Sequence, residues 1–126
     1  MELKLLQVEV LAFEDKFEAA ETLLDEIQNI NAANEEIYIQ RANIRSKQDK
    51  HQEAVNLLLE ALNVTDHSFD IHSLLGMEYL FMDNYEQAKL SFMRCVEMDD
   101  TDYSSLYNVV YCFEFLERSE HPRVGN

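Results

Sequence analysis

The chain has 126 residues, a formal net charge of −15 and a 47% share of hydrophobic residues, with only two glycines, Gly76 and Gly125, and one proline, Pro122. That apolar share can build a core, so wholesale disorder is excluded. The acidity argues against nucleic acid and anionic membrane surfaces, which are gripped by lysines and arginines. No apolar run reaches the roughly 18 residues needed to cross a bilayer, and Glu2, Lys4 and Glu9 interrupt the opening stretch, so a soluble chain is expected.

The scarcity of glycine and proline leaves helices joined by short polar loops. A period of 34 residues runs through them. Ala20, Ala54 and Ala88 share it, as do Asp15, Asp49 and Asp83, and Leu24, Leu58 and Phe92. Val8, Ala42, Gly76 and Val110 form a further column, joined by Ile27, Ala61, Cys95 and by Ile30, Val64, Met98. Six columns in one register define a repeat, and each repeat reads as a helical hairpin of two helices of roughly 13 residues.

In chain order, the first unit spans residues 1–34; Phe17, Ala20 and Leu24 carry its pattern, and its leading helix is degenerate. The second, 35–68, keeps Ala42, Ala54, Leu58 and Ala61 but places Arg41 and Arg45 at apolar positions. The third, 69–102, is the clearest: an apolar run from Ile71 to Leu80, a break at Asp83 and Asn84, then Tyr85, Ala88, Phe92 and Cys95 on one helical face. Small residues let helices cross closely, and Gly76 with Ala88 suits that contact, with Tyr79, Tyr85 and Phe92 filling the space beside it. Residues 103–118 predict one more helix in the same register, either a capping helix or the first half of a fourth repeat. The second reading is preferred, because Tyr107, Tyr111, Phe115 and Leu116 leave little polar outer face, and it makes the chain part of a longer array. Residues 119–126 read as a disordered tail.

This pattern resembles the tetratricopeptide repeat (TPR) family. Leu75-Gly76, Tyr79, Tyr85, Ala88, Phe92 and Cys95 stand at the family's signature spacings. The usual proline near the end of each unit is replaced by Ala32, Asp66 and Asp100. The resemblance implies an all-α fold, a right-handed α-α superhelix of three TPR-like repeats plus one further helix. It also implies a concave groove lined by the first helix of each hairpin, where family members bind peptides. Carried over residue by residue, the groove positions are Asn43, Lys47, Ser73, Met77, Leu80, Phe81, Tyr107, Tyr111 and Phe115, with Leu5, Glu9, Ile39 and Ser46 further inward-facing positions. A family subtype grips the carboxylate tail of heat-shock chaperones with basic and Asn side chains. Glu9, Met77 and Tyr111 stand where that clamp needs them, so a basic or amphipathic protein segment is the expected partner.

Catalytic and metal chemistry has no carrier in the sequence, so a non-enzyme without cofactor or metal is expected. The only glycines cannot form a phosphate loop. His67 and His72 are five apart and straddle a helix start, which is not a ligand pair on one helix face. His51 falls in the Phe17/Tyr85 column and reads as structural. Ser104 and Ser105 lack an elbow glycine. Asp99, Asp100 and Asp102 read as a helix-capping connector, and Cys95 and Cys112 as buried reduced thiols in a cytoplasmic setting. The expected function is a protein–protein interaction scaffold. The alternatives are a structural self-association module, homodimeric through its repeat ends, and an accessory domain of a larger enzyme or signalling protein.

Overall fold

The structure is a computed structural model that describes residues 2–31, 34–65 and 68–120. Seven α-helices and no strand occur among them: α1 (Glu2–Phe13), α2 (Phe17–Ile30), α3 (Glu35–Lys47), α4 (His51–Ala61), α5 (Phe69–Phe81), α6 (Tyr85–Met98) and α7 (Tyr103–Glu120). The starts of α1, α3 and α5, like those of α2, α4 and α6, follow the 34-residue register closely. Helices α1 to α6 run for 11 to 14 residues. Helix α7 is longer and carries Ser119 and Glu120, two residues of the expected tail; residues 121–126 lie outside the described part.

Each hairpin reverses by the same device. Asp15, Asp49 and Asp83 adopt left-handed backbone with φ of 62°, 61° and 57°. The amide that follows each aspartate, on Lys16, Lys50 and Asn84, then donates at 2.8 Å to the carbonyl of Leu11, Arg45 and Tyr79, five residues back. The aspartate amides donate to the carbonyls of Ala12, Ser46 and Leu80 at 3.0 to 3.1 Å. Two orphan carbonyls at each helix end are thereby satisfied, in the arrangement that usually recruits glycine. The aspartate column of the sequence is therefore a column of turn residues. Asn84 then caps α6, its side chain accepting from the Gln87 amide at 3.3 Å.

The starts of the first helices are capped from their own loops. Asn34 accepts from the Glu36 amide at 2.9 Å, and Ser68 accepts from the Ile71 amide at 3.2 Å. Before α7, the Asp102 carboxylate takes the Ser105 hydroxyl. Asp99 takes both the amide and the hydroxyl of Thr101, and these bonds hold its carboxyl below the usual carboxylate value. The acidic connector is thus a pair of local caps, as its composition implied.

The chain divides into two compact units, residues 1–67 and 68–126. In the first, α1 packs on α2, α3 on α4, and α2 on α3. Its core gathers Val8, Ala12, Ala20, Leu24, Ile27, Ile37 and Ile44, with Leu5, Leu11, Phe17 and Leu23 packed against it. In the second, α6 is the central helix, packed on α5 and on α7. Ala88, Phe92 and Cys112 form a buried cluster there, flanked by Tyr79, Leu80, Tyr85 and Val109. Removing a side chain such as Phe92 from water contributes on the order of 2–3 kcal/mol. The residue that meets Gly76 at the α5–α6 crossing is Phe92: a Cβ built on Gly76 would stand 2.6 Å from its ring. The small residue opposite Gly76, expected to be Ala88, is buried in the same cluster, but the large ring takes up the space that glycine leaves.

Candidate functional site

In the second unit, α5 and α7 present large apolar side chains to solvent. Helix α5 offers Met77 and Phe81, and α7 offers Tyr107, Tyr111 and Phe115, all of them exposed. They recur at four-residue steps, which is why each set shares one face of its helix. Tyr85, at the start of α6, ties the α7 set down. Its ring stacks on Phe115 with centroids 3.8 Å apart and lies 6.2 Å from Tyr111. Its hydroxyl donates to the Asp83 carboxylate at 3.3 Å. Burial, then the neighbouring Asp83 charge, pushes the Tyr85 phenol above its ordinary pKa, so it remains a neutral donor.

Two of the expected groove residues serve the fold as well. Leu80 is half-buried against the Phe92 cluster, and Ser73 is half-buried. Leu80 is a packing residue as much as a lining one, because its place on α5 borders the face that α6 covers.

In the first unit, Asn43 and Lys47 are exposed one turn apart on α3. The Lys47 ammonium stands 5.9 Å above the ring of Phe13, itself 82% exposed. Of the further inward positions, Leu5 packs against the core and Ser46 is half-buried, its hydroxyl 3.5 Å from Nδ1 of His51. His51 also has Nε2 3.6 Å from Asp49, which fits its structural reading.

Sequence reading saw Arg41 and Arg45 only as departures from the repeat. The structure gives them a role: Arg41 reaches Glu21, Asp25 and Gln28 of α2, while Arg45 reaches Glu21 and, on α4, Glu53 at 3.7 Å. Gln40 adds bonds to Glu9 and Glu36 at 3.1 Å. The signal was present as carboxylates on α2 facing two arginines on α3, but it needs the α2–α3 pairing to be read.

A further apolar surface lies at α1. Leu3, Leu6 and Val10 line an open groove of about 440 Å³ with Gln7, Leu11 and Leu23. Among the described residues no group of three or more His, Cys, Asp or Glu side chains is placed to hold a metal ion, and no helix is long and apolar enough to cross a membrane. His67 lies outside the described residues. Cys95 and Cys112 are free, fully buried, and held above the ordinary thiol pKa chiefly by that burial.

Residues 69–102, the α5–α6 hairpin with its connector, match the tetratricopeptide repeat family model. This hairpin is a tetratricopeptide repeat. Solved TPR structures share the fold of the chain around it. The first TPR of Spaghetti (RPAP3), bound to the HSP90 peptide SRMEEVD, aligns over 91% of this chain and 91% of its own at 14% identity and a TM-score of 0.80. YrrB, a TPR protein with an unusual peptide-binding site, aligns over 86% of this chain and 56% of its own at 17% identity and a TM-score of 0.72. A thermophilic TPR protein of Thermus thermophilus aligns over 76% of this chain and 49% of its own at 21% identity and a TM-score of 0.68. The matched part thus spans about half the length of the last two. No curated protein matches the sequence. At these identities the likeness establishes the TPR fold, all-helical and built of paired helices.

Proposed function

We propose that the chain is a protein-interaction scaffold without catalytic activity, whose second unit binds a partner segment on Met77, Phe81, Tyr107, Tyr111 and Phe115. The observation that carries this reading is the Tyr85–Phe115 stack with Tyr111 beside it. Aromatic rings held in place and still exposed cost water contact without adding to the core, and pre-ordered aromatic side chains are what binding surfaces use. Lys89, Arg94 and Arg118 are the only lysines and arginines among residues 68–120, and carboxylates far outnumber them. An apolar floor with acidic surroundings suits a basic or amphipathic segment. The RPAP3 neighbour was solved with the acidic peptide SRMEEVD; here Met77 and Tyr111 offer no cation to such a ligand. Asn43 and Lys47 are the first unit's exposed polar candidates for contact with a partner.

Fluorescence polarisation tests this with two labelled peptides, a cationic amphipathic one and SRMEEVD. The cationic peptide should bind and the acidic one should not. The Phe81→Ala, Tyr111→Ala double variant should weaken binding about tenfold with helicity unchanged. Equal binding of the two peptides, or an unaffected double variant, refutes the assignment.

A second reading, self-association, is favoured by the exposed stripe of Leu3, Leu6, Val10 and Phe13 on α1. The net charge of −15 on every copy opposes it. Sedimentation over a wide concentration range decides: a constant monomer mass removes this reading.

A further inference from the structure

Asp15, Asp49 and Asp83 hold one left-handed turn, and two residues after each the sequence carries Phe17, His51 and Tyr85. In the second hairpin the aspartate has a basic neighbour, with Nε2 of His51 3.6 Å from the Asp49 carboxylate. In the third it has a phenol instead, whose hydroxyl donates to Asp83 at 3.3 Å. The turn does not call on that carboxylate. Its bonds run from the Asp83 and Asn84 amides to the carbonyls of Leu80 and Tyr79, and the cap on α6 comes from Asn84. Among the described residues no lysine, arginine or histidine is paired with Asp83. An exposed negative charge without a counter-charge therefore stands beside the Tyr85–Tyr111–Phe115 cluster.

We propose that Asp83 and Tyr111 form a subsite for one arginine side chain of the bound partner segment, its guanidinium pairing with the carboxylate and lying on the Tyr111 ring. The assignment rests on the aromatic strip being the binding surface. Besides burial, the Asp83 charge and the Tyr111 hydroxyl raise the Tyr85 phenol, so both groups lie near one oxygen atom. Tyr111 is 45% exposed and its ring is tilted 49° from that of Tyr85, whereas Phe115 is stacked on Tyr85. The Tyr111 ring is thus not used up by the stack. An aromatic face attracts a cation, and a guanidinium can lie flat on it while its edge donates to a carboxylate. An ammonium is a compact, strongly hydrated point charge that does only one of these well. The subsite therefore selects arginine over lysine, and Asp83 repels a segment that offers a carboxylate there.

The cations of the second unit leave this corner negative. Lys89, one turn after Tyr85 on α6, is engaged elsewhere: its ammonium lies 3.6 Å from Glu86 and 6.0 Å above the ring of Phe113. Phe113 is on the opposite side of α7 from Tyr111 and Phe115, two positions from each. Arg94 stands 3.4 Å from Glu97. Arg118 follows Phe115 on the same side of α7, and Glu114 precedes it at the four-residue spacing where opposite charges attract. The positive end of α6 is answered by Glu86 in its first turn and by the Asn84 cap.

The test titrates the 126-residue chain into three fluorescein-labelled amphipathic peptides of one leucine and alanine sequence. Their polar positions are all arginine, all lysine, or all citrulline, the neutral counterpart of arginine. The arginine peptide should bind best, about threefold tighter than the lysine peptide, and the citrulline peptide weakest. Asp83→Asn removes the charge and keeps a residue that accepts left-handed backbone, so the fold should hold by circular dichroism. It should weaken the arginine peptide about three- to fivefold and bring arginine and lysine level. Tyr111→Leu should do the same through the ring. Asp49→Asn makes the same charge change in the first unit and should leave all three affinities unchanged, as should Arg118→Gln or raise them. If the arginine peptide binds but is indifferent to Asp83→Asn, or loses as much with Asp49→Asn, the subsite is overturned and the strip stands. Equal binding of the arginine, lysine and citrulline peptides, or weaker binding with Arg118→Gln, also overturns it. Should none of the peptides bind, the subsite and the reading of the strip fall together.

Discussion

The ring of Phe92 fills the place where a Cβ on Gly76 would stand, with ring atoms 2.6 to 2.7 Å from it. Phe92 is itself buried, so the ring has little room to retreat. Gly76→Ala gains about 1 kcal/mol of helix propensity and meets an overpacking cost of about 1–3 kcal/mol. Net destabilisation is expected in urea unfolding. The double variant Gly76→Ala, Phe92→Leu should recover part of the loss, since leucine withdraws the ring from the new methyl. A double variant as unstable as the sum of the singles would show that the two residues are not coupled.

The left-handed turns invite a stabilising change. Asp15 is exposed and bears the steric cost of a Cβ at φ 62°, which glycine avoids. Asp15→Gly should raise stability by about 0.5–1 kcal/mol, and Asp15→Val should lower it by more than that. Thermal melts followed by circular dichroism rank the three proteins. Asp15→Gly melting below the parent would mean that the aspartate contributes something beyond its backbone.

Arg41 joins α3 to α2 through several partners, and its side chain is only 15% exposed. Truncation leaves Glu21 and Asp25 without that cation, although Arg45 still reaches Glu21. Arg41→Ala should destabilise the first unit by about 1–2 kcal/mol. Screening reduces part of this difference, so it should narrow between low salt and about 1 M salt. A salt-independent loss would point to packing of the arginine stem instead.

Both thiols should be silent in the native state. Burial disfavours the thiolates of Cys95 and Cys112, and the thiolate is the reactive form. A chromogenic disulfide reagent should release little colour from native protein and two equivalents in denaturant. Fast labelling under native conditions would contradict the burial of Cys112 on α7.

The hairpins were legible because their signals are local. Alanine, leucine and aspartate columns repeat at 34 residues, and helix boundaries follow them closely. In α1 and α2, which pack on one another, Val8, Ala12, Ala20 and Leu24 are part of one buried core. What a column means physically was harder to read. Asp83 and Asn84 read in sequence as a single break, yet their roles differ: Asp83 adopts the left-handed turn and Asn84 caps α6. The arginine network was invisible because its partners on α2 sit 13 to 24 positions away. Of the expected lining residues, exposure separates Met77, Phe81, Tyr107, Tyr111 and Phe115 from the half-buried Leu80 and Ser73. Periodicity fixes a helix face, but not the depth at which a neighbouring helix covers it.

The principal packing pairs within each unit are helices adjacent along the chain. Nearly every hairpin contact is therefore made across a short loop, with little entropy lost in bringing distant segments together. Such a chain should fold quickly, on the microsecond-to-millisecond scale of low-contact-order helical proteins. The first unit could also collapse while the ribosome is still adding the second, limiting the time for which its apolar seams are open to misassociation.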